Sequence, residues 1–128
     1  MKRLVAMIAL LATLPAAAET PQQILDALVA QAGPASAARG EQLYRAKSAA
    51  GKTANACTAC HTDNAKAAGQ HVKTHKAIDP LAPAAQKDRF TDPAKVEKWF
   101  KRNCQEVLAR ACTPQEKADF TAYMISIK

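Results

Sequence analysis

Cys57-Thr58-Ala59-Cys60-His61 is the stretch on which the reading of this chain turns. Two thiols three positions apart fall on one face of a helical turn. The histidine after them projects from the same turn. This C-x-x-C-H spacing is that of c-type haem attachment. The thiols can add to the two vinyl groups along one edge of a porphyrin, and the imidazole can reach the iron as its proximal ligand. The motif therefore predicts one covalent haem c, held at Cys57 and Cys60 and ligated by His61. Two rivals are weaker. A zinc site could draw on all four cysteines, but Cys104 and Cys112 are spaced too widely for a knuckle. A thioredoxin-like C-x-x-C expects a strand followed by a helix, a pattern this chain lacks.

Upstream of the motif, the chain begins with Lys2 and Arg3, an apolar run from Leu4 to Leu14, and Ala16-Ala17-Ala18 before Glu19. That is the pattern of a secretory signal peptide cleaved after about Ala18. The run is too short to span a bilayer. The expected organisation is a signal peptide over residues 1–18 and one monohaem cytochrome domain over 19–128, located in the periplasm. Of 18 basic side chains, two leave with the signal, and 11 acidic ones remain, so the mature chain carries +5. Two haem carboxylates would lower this further. A basic surface suits nucleic acid or an anionic protein. Nucleic acid is a poor candidate outside the cytoplasm, and the lysines are scattered, so the choice lies between an acidic redox partner and a merely solvated surface.

Helix signals dominate on both sides of the motif, which predicts an all-α fold. Thr20-Pro21 with Gln23 forms a capping box, followed by Ile24, Leu25, Leu28 and Val29 on one face and a stop at Gly33-Pro34. Ser36 can cap a second helix to about Lys47, with Leu43 and Tyr44 inward. Gly40 within it costs helix propensity, which a close helix–helix approach would explain. Residues 64–85 read as a long loop with at most one short helix, the kind of segment that packs on a cofactor. Asp92-Pro93 opens a third helix, with Val96, Trp99, Phe100, Val107 and Leu108 at helical spacing. Thr113-Pro114-Gln115-Glu116 is a second capping box, and Phe120, Met124 and Ile127 share one face of the last helix. The six aromatics are few for a domain this small, which usually needs a staple or cofactor. An oxidising compartment favours a Cys104–Cys112 disulfide, worth about 2–3 kcal/mol for so short a loop.

The second axial position of the iron is the open question. Met124 is the only methionine outside the signal peptide, and it belongs to an apolar helix face, where methionine commonly fills gaps. His71 and His75 stand in the lysine-rich loop as surface residues that could also ligate iron. Asn103 falls four after Trp99 and four before Val107, which sets a primary amide into an apolar stripe. Buried amides need partners. The partner could be local backbone, a haem carboxylate, or the iron itself.

Several stretches carry a family resemblance. Ile78-Asp79-Pro80-Leu81-Ala82-Pro83, Arg89-Phe90-Thr91-Asp92, Lys95-Val96-Glu97-Lys98-Trp99-Phe100, Arg102-Asn103-Cys104 and Cys112-Thr113 resemble the sphaeroides haem protein family of small high-spin cytochromes c, to which cytochrome c double-prime is related. The resemblance runs from about Gly40 to the C-terminus. It implies a class I cytochrome c-like helical fold around one covalent haem, with Trp99 and Phe100 among the cofactor-binding residues. It implies that Asn103, beside the first cysteine of the disulfide, is the sixth ligand of ferric iron. That ligand would leave on reduction, so that ferrous haem binds dioxygen, nitric oxide or carbon monoxide. A dihaem cytochrome c and a membrane cytochrome b are the implied electron donors. The low-spin relative has histidine at the Asn103 position. One departure is His75, where the family pattern expects glycine. Two other functions remain in competition: a low-spin electron carrier with His or Met as sixth ligand, and a small-molecule reductase acting on oxygen, nitric oxide or peroxide.

Overall fold

Local capping chemistry sets where the helices begin. The computed structural model describes residues 17–128; most of the expected export signal lies outside them. Helix α1 spans Pro21–Ala32. The Thr20 hydroxyl accepts from the Gln23 N–H while the Gln23 side chain accepts from the Thr20 N–H, which closes the expected capping box. Helix α2, Ala37–Arg45, starts at Ser36, whose hydroxyl accepts from the Arg39 N–H. It ends two residues sooner than the sequence suggests, because Ala46 turns extended. The attachment motif forms the single turn α3, Thr58–His61. Helix α4 covers Pro93–Leu108 behind an Asp92 cap, and α5 covers Pro114–Ser126 behind the Thr113–Glu116 box.

The segment between α3 and α4 contains no helix. Instead Gly69–Gln70 (β1) and Ala77–Ile78 (β2) pair antiparallel, Gly69 opposite Ile78 and Gln70 opposite Ala77. The rest is tied by single backbone bonds. The N–H groups of Leu81 and Ala82 both donate to the Ala65 carbonyl at 2.9 Å. His75 sits at φ 58, a left-handed conformation that glycine adopts most easily. The molecule is thus mostly helical with one minimal strand pair, in keeping with an all-α cytochrome fold.

Helix α5 is the hub, and α1 and α2 both pack on it. The crossing of α2 and α5 is close because residue 40 is glycine. A Cβ there would collide with the Asp119 carbonyl and lie 2.8 Å from Tyr123 Cβ. The buried core gathers Tyr44, Ala65, Ala82 and Met124, with Phe90, Phe120 and Tyr123 against it. Tyr44 meets Phe120 and Tyr123 at centroid distances of 6.1 and 5.7 Å, tilted as aromatic pairs prefer.

One buried charge locks the hub. Asp119 on α5 is 4% exposed. Its Oδ2 accepts from Arg39 Nε at 2.7 Å, and its Oδ1 accepts from the Ser36 N–H at 2.7 Å, Arg39 Nη2 at 2.9 Å and Gln115 Nε2 at 2.9 Å. Burial alone would raise the Asp119 carboxyl, but these donors together outweigh it and hold it below the usual carboxylate range. Among the described residues no helix is long and apolar enough to cross a membrane.

Candidate haem site

A cleft of about 560 Å³ opens between the attachment turn, the loop that follows it and α4. The size is that of an ordinary cofactor site, roughly 300–1,000 Å³. Cys57, Cys60 and His61 line it from the turn. Val96, Trp99, Phe100 and Asn103 line it from α4, and Ile78, Leu81 and Phe90 from the connecting loop.

The attachment turn is held from two sides. Behind it, the Tyr44 hydroxyl donates to the Thr62 carbonyl at 2.7 Å and reaches the His61 carbonyl at 3.3 Å. Tyr44 is fully buried, so this phenol is a fixed prop. Beside it, Gly69 lies so close that a Cβ would strike the Cys60 carbonyl. Cys57 and Cys60 are both free thiols. Burial pushes the Cys57 thiol up to about 11, with a smaller contribution from Cys60, so it is protonated at neutral pH. Burial, and then the Arg89 charge, lowers His61 to about 4, which leaves a neutral imidazole with a lone pair to give.

Helix α4 divides its apolar residues between two jobs. Phe100, Cys104 and Val107 are buried, Phe100 and Val107 at the inner end of the cleft wall. Trp99, which the sequence placed on a buried stripe, is 42% exposed. Its part of the helix faces the cleft, not the hub formed by α5, and Arg102 lies over its ring at 5.4 Å. Asn103 lines the same cleft, half-buried. Among the described residues its side-chain amide has no hydrogen-bond partner. Immediately after it, Cys104 is joined to Cys112 with a Cα separation of 5.6 Å.

The other candidates for the iron are placed differently. Met124 is fully buried in the α5 core and does not line the cleft. His75 is exposed and does not line it either. His71 does line it, but its Nδ1 accepts from the backbone N–H groups of Lys73 and Thr74 at 3.3 and 3.1 Å. Its Nε2 is buried without a hydrogen-bond partner, so His71 stands beside Asn103 as a candidate on this cleft. No cluster of three or more His, Cys, Asp or Glu side chains suited to a metal ion occurs among the described residues. With Cys104 joined to Cys112, four thiolates are not free for zinc, and α3 follows a loop, not the strand that a thioredoxin-like C-x-x-C expects. Two protonatable sulfurs, an adjacent imidazole and an apolar wall are a donor set that fits a thioether-linked haem.

Two participants were not legible from pattern. Tyr44 reads in the sequence only as a core residue. Arg89 figures only within a longer matching stretch, although it lines the cleft. Its neighbours Gln86, Lys87, Asp88 and Thr91 are polar as well, so composition does not single it out.

Residues 30–124 match the family model described as a domain of unknown function, DUF1924. The chain is 48% identical over 107 residues to the cytochrome c-type protein SHP of Cereibacter sphaeroides, covering 82% of each. It is 45% identical over 80 residues to cytochrome c'' of Methylophilus methylotrophus, covering 62% of this chain and 55% of that one. Among solved structures, oxidised SHP, described as an oxygen-binding cytochrome c, superposes with a TM-score of 0.79 at 46% identity over 84% of this chain and 96% of the other. Oxidised cytochrome c'' gives 0.70 at 33% identity, over 83% and 93%.

Proposed function

Starting from the fact that this chain belongs to the DUF1924 family and is a c-type cytochrome related to SHP, we propose that it is an exported, single-haem, gas-binding redox protein of the periplasm. Residues 19–128 form its haem domain after cleavage near Ala18. The haem is joined covalently at Cys57 and Cys60 and ligated by His61. Asn103 is a labile sixth ligand of the ferric state, and its departure on reduction leaves a site for dioxygen, nitric oxide or carbon monoxide. The haem supplies the redox change and the open coordination position.

The observation that carries this reading is the Asn103 amide, which lines the cleft together with His61 and has no protein partner among the described residues. An amide oxygen is a hard, weak donor. It favours the more highly charged ferric ion and binds ferrous iron poorly. Released, the same side chain presents an N–H to whatever occupies the site, and distal donors of this kind govern the fate of a bound gas. Tyr44 and Gly69 fix the His61 side, while Trp99 and Phe100 supply the apolar wall. Electron supply from a dihaem cytochrome c and a membrane cytochrome b suits the cationic surface.

Optical and EPR spectra of the purified holoprotein in both oxidation states test the reading. The expected result is a ferrous form that turns five-coordinate and binds carbon monoxide. A low-spin ferrous haem indifferent to carbon monoxide would refute it in favour of a carrier with a strong sixth ligand. Asn103→Ala should change the ferric spectrum, and an unchanged one would remove Asn103 from the iron.

A further inference from the structure

Arg89 is a cation without a counter-charge in the wall of the cleft. The guanidinium is anchored by its own loop: Nε donates to the Pro80 carbonyl at 2.9 Å and Nη2 to the Asp79 carbonyl at 2.8 Å. Both acceptors are neutral. The ion pairs among the described residues lie elsewhere, on Arg39, Arg45, Arg102, Arg110 and Lys117. Asp79, Asp88 and Asp92 also line the cleft, yet none comes within ion-pair distance of Arg89. A half-buried charge held rigidly by two carbonyls, with Nη1 uncommitted, is arranged to receive an anion. The planar fork suits a carboxylate. Arg89 and His61 line the same cleft.

We propose that Arg89 seats a carboxylate of the haem and, through its positive charge near the iron, biases the centre toward the reduced, ligand-open state. This inference rests on the haem reading above. A haem fixed by its vinyl edge at Cys57 and Cys60 carries its carboxylates on other positions of the ring, where the cleft must neutralise them. Ferric iron bears one more positive charge than ferrous iron, so a nearby fixed cation disfavours the ferric form. Arg89 thus acts as a positioning residue: it sets how readily reduction, and with it release of Asn103, takes place.

The test compares Arg89→Gln, Arg89→Lys and Lys98→Gln holoproteins with the parent by redox titration and resonance Raman spectroscopy. Lys98 is exposed and does not line the cleft, which makes it a control for charge alone. Arg89→Gln should make reduction about tenfold less favourable, about 59 mV for one electron, and should move the haem carboxylate bending band. Arg89→Lys should restore most of the potential but not the band, because a point charge replaces the planar fork. Lys98→Gln should alter neither. An unchanged potential in Arg89→Gln overturns the proposal, and so does a lowered potential with an unmoved carboxylate band. Absence of thioether-linked haem in the parent would instead defeat the underlying haem reading, so the two failures are told apart.

Discussion

Gly69→Ala probes the support of the attachment turn most directly. A Cβ on residue 69 would overlap the Cys60 carbonyl oxygen and stand 3.1 Å from both the Cys60 carbonyl carbon and His61 Cα. Carbon atoms in contact prefer about 3.5–4.0 Å, so the turn or the strand must retreat by roughly half an ångström, and by more at the oxygen. Neither is free to do so. Gly69 is paired with Ile78, and the turn is propped from behind by the Tyr44 hydroxyl. Overpacking of this kind costs about 2–3 kcal/mol, or roughly 10 °C of melting temperature for a domain of this size. The displaced atoms belong to Cys60 and His61, so the ferric spectrum and the fraction of chains carrying covalent haem should change as well. Gly40→Ala is the matched control. Its Cβ strikes the α2–α5 crossing, so it should lower the melting temperature comparably and leave the spectrum of the folded protein alone. The assay is thermal unfolding of holoprotein by circular dichroism, with haem stoichiometry from mass spectrometry. A Gly69→Ala protein that melts within about 2 °C of the parent, with the parent spectrum, would refute the claim that this strand backs the turn.

The other expectations concern the frame around the site. Tyr44→Phe removes the donor to the Thr62 carbonyl and should cost about 1–2 kcal/mol in urea unfolding; no change in midpoint would show that the phenol is not a prop. Asp119 has a folded pKa below its unfolded value of about 3.9, so its contribution is present above that pH and is lost as pH falls through the folded value. Melting temperature should therefore fall steeply below about pH 4, and less steeply in Asp119→Asn; identical pH profiles would contradict the assignment. Replacing Cys104 and Cys112 together with serine should lower stability by about 2–3 kcal/mol and weaken the coupling between reduction and the ligand change; an unaltered redox-linked spectrum would reduce the bond to a staple.

What could be read from the chain was what is decided within a few residues. The Thr20–Gln23 and Thr113–Glu116 boxes and the Asp92 cap close over three positions, and each stands where the spacing put it. The Gly40 contact was also legible, because a glycine inside a helix needs a reason. Residues 64–85 were opaque because their order comes from distant partners. Ala65 receives Leu81 and Ala82, Cys60 crowds Gly69, and Arg89 grips the carbonyls of Asp79 and Pro80. None of these contacts leaves a periodic trace. Trp99 shows the limit of periodicity in another way. The spacing identified the apolar side of α4 correctly, but it could not say which part of that side meets the core and which meets a cleft.

The two walls of the cleft differ in what they leave free. On the His61 side the backbone itself is clamped, between Tyr44 and Gly69. On the α4 side the helix is tied at three points. Its start is capped by Asp92, its Cys104 is buried and bonded to Cys112, and the Glu106 carbonyl accepts from the Thr53 N–H at 3.2 Å. Asn103 lies between these restraints, so its main chain has little room to move. Its side chain, without a hydrogen bond among the described residues, has only its torsions to spend. On the proposed reading, a change of ligation at Asn103 would need only rotation about its side-chain bonds. The balance between closed and open then depends on how strongly the iron attracts an amide oxygen, which is the quantity that oxidation state and the Arg89 charge both alter.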